Sequence, residues 1–248
     1  MRAIQDEKYS GRGETMLTYE NWQEPSITFQ EDDLYKGALS VLKWAYGLYG
    51  DQLVYACSFG IEGIVLIDLI AKVKKDARIV FLDTGLHFKE TYDTIDAVKE
   101  RYPGLDIVLK TPELTVEQQN EQHGDKLWET NPQSCCHMRK VIPLQEALSG
   151  YPAWLSGLRR EQSPKRAGTN FLNKDEKFKS VKVCPLIHWT WKDIWRYASR
   201  EDLAYNPLHD QGYPSIGCAP CTQPAFTADD LRSGRWSGTA KTECGLHE

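Results

Sequence analysis

The fold is legible first in residues 53–73, LVYACSFGIEGIVLIDLIAKV. Its first part, LVYACSF, is an apolar, β-branched and aromatic run of strand length. Its second part, IEGIVLIDLIAKV, is long enough for a helix and apolar on most sides, as a helix covered by other elements must be. Small residues at the junction suit a sharp strand-to-helix turn. The same alternation continues outward. ARIVFLD (77–83) and LDIVLK (105–110) read as strands around a helix in HFKETYDTIDAVKERY (87–102), and AWLSGL (153–158) reads as a later buried strand. Upstream, EDDLYKGALSVLKWAYGLYG (31–50) puts Leu34, Ala38, Leu39, Leu42, Ala45 and Tyr46 on one helical face. This order predicts an α/β protein: a single-domain, Rossmann-like, parallel twisted sheet with helices on both faces. NPQSCCHMRKVIPLQEALSG (131–150) is expected to be helical in part, and TWKDIWRYASRED (190–202) and TADDLRSGRW (227–236) as peripheral helices.

At 248 residues with 41% hydrophobic and 26% charged residues, the chain can bury one good core. A net charge of −5 gives no case for nucleic-acid or membrane binding. The longest apolar run, GIVLIDLIA, is too short for a bilayer and is broken by Asp68. The N-terminal residues lack a secretory apolar core, so a cytoplasmic protein is expected. The expected organisation is an N-terminal arm or lid over 1–28, one domain over 29–236, and a mobile tail over 237–248.

The turn YACSFGIEG (55–63) sits where backbone N–H groups at a helix N-terminus can close on an anion. It has neither G-x-G-x-x-G nor the Walker lysine, and taken alone it is also what a plain tight turn looks like. FLDTGLHF and WLSGLRREQSPKR end two further strands, so three polar strand ends are expected to face one crevice. There Asp83 or Thr84 would contact ribose or sulfate, and Arg159, Arg160 and Arg166 phosphate. A solvated surface charge is the plainer reading of any single arginine.

Seven cysteines exceed what packing needs, and in a reducing cytosol clustered cysteines bind metal or do chemistry. Cys135 and Cys136 are adjacent, and Cys218 and Cys221 form a C-x-x-C. Neighbouring side chains splay apart, which suits zinc poorly. The separate iron corners of a 4Fe–4S cluster can take one thiolate each. A C-x-x-C redox dithiol beside an unrelated tandem pair is the competing reading. Cys57 and Cys184 stand in apolar, strand-like surroundings and read as core. Lys140 follows Cys136 by four residues, and Arg232 and Arg235 would share a face if LRSGRW is helical. Three such cations beside a phosphate-type loop would make a pocket for an anion.

Taken together, CSFGIE, FLDTGLHFKETY, SCCHMRK, GLRREQSPKR, IGCAPCTQP, LRSGRW and ECGLHE occur in the order found in assimilatory adenylylsulfate (APS) reductases. The chain resembles that iron–sulfur branch of the PAPS/APS reductase family from about residue 30 onward. The resemblance implies an adenine-nucleotide α-hydrolase-like (PP-loop) fold. It implies that Cys135, Cys136, Cys218 and Cys221 hold one 4Fe–4S cluster per subunit, as a structural and electrostatic group. It further implies that Ser58, Phe59, Gly60 and Glu62 belong to the modified phosphate loop. Lys140, Arg166, Arg232 and Arg235 would grip the phosphosulfate with His247 nearby, and Cys244 would be the nucleophile. The implied reaction is thiol-dependent reduction of APS to sulfite and AMP through a Cys244 S-sulfonate, in cysteine biosynthesis.

PAPS stays open as a second substrate. Thioredoxin or glutaredoxin is the expected electron donor, a separate protein since no thioredoxin-like segment follows the tail here. A homo-oligomer is expected from the resemblance alone. Two other readings remain: an ATP-cleaving, tRNA-thiolating PP-loop enzyme, which SFGIEG disfavours by lacking lysine and aspartate, and an iron–sulfur or redox sensor, which has no need of Cys244 in a free tail.

Overall fold

The computed structural model describes residues 15–23, 28–225, 230–237, 241, 243, 245 and 246. Its centre is strand β1 (Leu53–Cys57), which passes into helix α2 (Ile61–Val73). Side chains of β1 alternate between two cores, as the period of a strand requires. Leu53, Tyr55 and Cys57 enter the larger core, and Val54 enters a smaller one with Val80 and Trp154. β2 (Arg78–Leu82), β3 (Asp106–Lys110) and β4 (Ala153–Leu155) continue the sheet, with β5 (Leu172–Asp175) and β6 (Ser180–Val183) beyond them. The order is β3-β2-β1-β4-β6-β5. All neighbours are parallel except β5 and β6.

The larger core takes α1 (Leu34–Tyr49), α2, α3 (Lys89–Arg101) and α8 (Trp191–Arg200). Three short helices, α4 (Val116–His123), α5 (Leu127–Thr130) and α6 (Pro132–Cys136), follow β3, and on the other face of the sheet α7 (Ile142–Leu148) brings Leu144 and Leu148 onto Val54, Val80 and Trp154. Helices therefore cover both faces. Among the described residues no helix is long and apolar enough to cross a membrane.

Four findings differ from the sequence reading. The sheet is not purely parallel. β5 and β6 escape periodicity because each is only four residues long, too short for a repeat, and β5 runs through three successive polar residues, Asn173, Lys174 and Asp175. The described part of TADDLRSGRW is no helix: Leu231–Gly234 form turns, and Arg235 makes a bridge with Thr222. Gly234 explains this, since a Cβ there would lie 2.0 Å from the Gln223 carbonyl oxygen, so the segment must pass close to a neighbouring backbone. On α1, the buried face is carried by Val41, Trp44 and Tyr49 besides Ala38, Leu42, Ala45 and Tyr46, while Leu34 and Leu39 are half-buried.

Asp68, the polar break in the apolar run, is buried. It accepts from Tyr102 Oη at 2.8 Å and Tyr197 Oη at 2.6 Å, and it pairs with Lys72 at 2.8 Å. One carboxylate thus joins α2 to α8 and to the end of α3, its burial offset by three partners.

α2 packs closely on β1 at Gly63, where a Cβ would lie 2.8 Å from Cys57 Sγ. Gly63→Ala should cost about 1–3 kcal/mol through overpacking, despite alanine's better helix propensity. The urea midpoint reads this loss, and adding Cys57→Ala should recover it. A midpoint that rises for Gly63→Ala alone would mean the Cys57 thiol has room to move.

Candidate active site

β1 lies between β2 and β4, and the chain leaves β1 toward β2 on one side while β4 joins on the other. Ligands of open α/β sheets bind at this reversal, beyond the carboxyl ends of the strands. A cleft of about 1320 Å³ opens there. Ser58, Gly60 and Glu62 line it from the β1 turn, Arg159 and Arg166 from the loop after β4, and Lys140, Arg232 and Arg235 from farther along the chain.

The β1 turn is strained. Phe59 has φ +55°, which costs a non-glycine residue about 1–2 kcal/mol. Its side chain is fully buried edge-on to Phe81 at 5.6 Å, and its N–H donates to Cys57 Sγ at 3.2 Å. Phe59 therefore shapes the turn from the core and does not line the cleft. At the start of α2, the Ile61 N–H donates to His209 Nε2 at 3.2 Å. An imidazole thus takes a helix-end donor that a phosphate loop would turn to its ligand. Sequence reading missed His209, which lies 148 residues from Ile61.

Arg159 differs from its expected role. It is 1% exposed, and its guanidinium donates to Glu62 at 2.9 Å, to Glu161 at 2.7 Å and to the Trp189 carbonyl at 3.3 Å. Burial alone would raise Glu62's pKa, but the Arg159 guanidinium beside it holds that carboxyl below the usual range. Gln162 Nε2 also donates to Glu62, at 3.0 Å. These groups brace the cleft wall. Arg160 instead holds its own loop, through the Thr169 carbonyl at 2.7 Å.

Asp83 and Thr84 do not line the cleft. Asp83 accepts from Tyr92 Oη at 2.7 Å and from the Gly85 N–H at 3.0 Å. Thr84 is buried with its Oγ1 3.2 Å from Cys218 Sγ. The end of β2 thus serves the cysteines more than the cleft. Arg139, missed in the sequence, is the buried cation at that junction; it donates to the Thr84 carbonyl at 2.6 Å and to Gln119 at 3.0 Å.

Cys135, Cys136, Cys218 and Cys221 line one small pocket. The tandem pair ends α6 (Pro132–Cys136), which Pro132 and the Asn131 cap start. A π-helical turn, His137–Val141, follows, and places Lys140 on the walls of both the cysteine pocket and the cleft. The C-x-x-C forms a 3₁₀ turn, Ala219–Cys221, tied to the β2 loop through Ala219 N–H to Leu86 at 2.7 Å. Burial pushes the Cys135 thiol up to about 12, and the other three cysteines push it the same way. Burial raises Cys221 to about 11, with Lys140 and Arg235 pulling against it. Among the described residues no three His, Cys, Asp or Glu side chains gather tightly enough to hold a single metal ion. Cys57 and Cys184 are buried core thiols, each pushed up to about 12 by burial.

Arg232 and Arg235 converge without a helix. Both lie by the Trp236 ring, at 5.7 and 4.5 Å. Arg235 lies flat against Gly217, where a Cβ would stand 2.2 Å from its Nη2. Arg166 donates to Gln162 at 2.5 Å and to Glu243 at 2.8 Å. Cys244 and His247 lie outside the described residues, but Glu243 beside them is 2% exposed. The sequence carried that residue in plain view within ECGLH, with nothing to mark it as buried.

The chain matches the phosphoadenosine phosphosulfate reductase domain over residues 52–224. It belongs to that family. Over 233 residues it is 96% identical to an adenosine 5'-phosphosulfate reductase of Bacillus pumilus, and 83% identical to adenosine 5'-phosphosulfate reductase 1 of Bacillus subtilis. Both alignments cover 94% of this chain and 100% of the relative. A family member of solved structure, the phosphoadenylyl-sulfate (PAPS) reductase of Candida auris in a phosphate complex, aligns with TM-score 0.66 and 30% identity. That alignment covers 80% of this chain and 100% of the other. An FMN adenylyltransferase of Candida glabrata shares the fold at TM-score 0.57 and 15% identity, over 81% of this chain and 70% of the other.

Burial lowers the His209 pKa below the ordinary imidazole value of about 6.5. The unfolded chain then binds a proton that the folded chain refuses, so His209 destabilises the fold as pH falls below about 6.5. Denaturant titrations between pH 7 and 5 should show a shallower pH slope for His209→Gln than for the parent. An identical slope would mean that His209 binds its proton as readily in the fold as in the unfolded chain.

Proposed function

We propose that this chain reduces adenosine 5'-phosphosulfate to sulfite and AMP in sulfate assimilation, toward cysteine biosynthesis. The observation that carries this reading is the meeting of Lys140, Arg166, Arg232 and Arg235 on one cleft at the sheet's reversal point, with Lys140 shared by the four-cysteine pocket. Such a cleft suits a small, doubly anionic nucleotide carrying a phosphate–sulfate anhydride. The Ile61 N–H already engaged by His209 and the absence of a loop lysine weigh against pyrophosphate release from ATP.

In the proposed reaction the Cys244 thiolate attacks the sulfuryl sulfur. The bond from sulfur to the bridging phosphate oxygen breaks, the electron pair leaves with AMP, and Cys244 keeps an S-sulfonate. Lys140, Arg232 and Arg235 neutralise the oxygens on which charge develops, and Arg166 orients the anion. A thiolate of an external dithiol protein, thioredoxin or glutaredoxin, then attacks the Cys244 sulfur and sulfite leaves. The donor's second thiol resolves the mixed disulfide, so the donor's dithiol supplies both electrons. A mobile tail over 237–248 would let one thiol meet a sheltered nucleotide and then a protein. The division into a 1–28 arm, a 29–236 domain and this tail belongs to the same proposal, as do a cytoplasmic location and a homo-oligomer.

Cys135, Cys136, Cys218 and Cys221 fit a 4Fe–4S cluster. Four thiols share one pocket, and the other three cysteines join burial in opposing ionisation of Cys135, an opposition that the positive irons of a cluster would relieve. When bound, the cluster would supply a fixed charge centre beside Lys140 and Arg235.

The decisive test is a single turnover with radiolabelled APS, and separately labelled PAPS, without thiol. Label should attach to the protein, be lost in Cys244→Ser, and leave as sulfite on adding thioredoxin. Intact protein that takes up no label from either nucleotide would overturn the reading. Lys140→Ala should slow label uptake by about a hundredfold with the visible absorbance of the protein unchanged. Unchanged kinetics would remove Lys140 from the chemistry.

A further inference from the structure

Glu243 stands in a short polar terminal stretch, yet it is 2% exposed. Both carboxylate oxygens are used. One accepts from Arg166 Nη2 at 2.8 Å and Arg232 Nη2 at 3.1 Å, and the other from Ser163 Oγ at 3.2 Å. These partners come from two separate parts of the cleft wall, the loop after β4 and the 230–237 segment. Arg166 is held in turn by Gln162, which donates to Glu62 at the start of α2. A continuous polar chain therefore runs from the terminal stretch to the turn after β1. Beyond position 244, the Gly245 carbonyl accepts from Lys177 Nζ in the β5–β6 turn, and Leu246 packs against the smaller core of Val54, Val80 and Trp154.

We propose that Glu243 is a positioning residue: its buried ion pairs with Arg166 and Arg232 dock the terminal stretch on the cleft, and the rate of Cys244 chemistry depends on that docking. The proposal rests on the reductase reading above for its catalytic consequence, though not for the docking itself. Its physical basis is that a carboxylate loses its hydration on entering the buried position and regains it only from its partners. Glutamine at 243 keeps the shape and loses the charge, so the buried Arg166 and half-buried Arg232 guanidinium groups would face a neutral amide, and the docked state would lose its advantage over the solvated one. The same contacts mean that Arg166 and Arg232 meet a carboxylate before any substrate anion arrives. Glu243 thus holds the two side chains in place at the cost of some of their charge.

The test uses the full-length, anaerobically purified protein with Glu243→Gln, Glu243→Asp and Ser163→Ala. The first readout needs no turnover: the rate at which iodoacetamide alkylates Cys244, followed by mass spectrometry. Glu243→Gln should alkylate about tenfold faster than the parent, as expected when a docked state loses most of its population. Ser163→Ala should shift the rate less in the same direction, and Glu243→Asp should restore part of the protection. The second readout is label transfer from saturating APS in a single turnover. It should fall about tenfold in Glu243→Gln while half-saturation moves less than about threefold, which is a loss of positioning and not of binding.

Alkylation and transfer rates equal to the parent in all three variants would overturn the proposal. Tighter AMP binding in Glu243→Gln with unchanged transfer would also overturn it, by making Glu243 a competitor of the substrate anion. A parent protein that transfers no label would sink the reductase reading alone, since the alkylation comparison would still decide the docking.

Discussion

The cleft depends on one buried ion pair, Arg159 with Glu62, whose side chains are 1% and 17% exposed. It joins the first turn of α2 to the loop after β4, across the point where the sheet reverses direction. Two strand ends that would otherwise diverge with the sheet's twist are thereby held face to face. Removing one partner of such a pair leaves the other charged and dry, at a cost of about 3–5 kcal/mol. The braces that converge on it, from Gln162, Glu161 and the Trp189 carbonyl, satisfy the remaining donors and acceptors. Through Gln162 the same network reaches Arg166 and then Glu243, so the rigidity of the wall and the seat of the terminal stretch share a cause.

Charge is distributed against the average. The chain carries −5 overall, yet Lys140, Arg166, Arg232, Arg235 and Lys241 all line one cleft. A local positive field inside an acidic protein selects small anions while leaving extended polyanions little to bind. The cationic side chains are also held by stacking and close approach. Arg232, Arg235 and Lys241 surround the Trp236 ring at 5.7, 4.5 and 5.9 Å. Arg235 needs the bare backbone of Gly217 to lie where it does. Held this way, the charges need little reorganisation when an anion enters.

The route from β1 to β3 could be read from periodicity because its elements are local: α2 begins and ends where the apolar run does, at Ile61 and Val73. β5 and β6 could not, because strands of four residues, each with a lysine in its middle, owe their existence to pairing with β4 and with each other. LRSGRW misled for the opposite reason. Its spacing suits a helix, but a backbone neighbour at Gly234 and a bridge at Arg235 override that local preference. The arginines met all the same, through the ring of Trp236. Of the site residues, the cysteines and Lys140 were legible as a pattern of types and spacings. For Arg159, which lines the cleft paired with Glu62, and Asp83, which is held by Tyr92, a sequence shows that a charge exists and not which partner will hold it.

The sequence by itself determined the fold class, the location of the strand-to-helix turn, the family and the residue types available for chemistry. These follow from short-range periodicity and from motifs whose members lie within a few residues of each other. Only the tertiary structure decided which charges stay available. Arg159 is spent on Glu62, His209 takes an N–H from a helix 148 residues away, and Glu243 turns inward against arginines 77 and 11 residues distant. Burial and partnership are properties of separations in space, and nothing local in a chain encodes them.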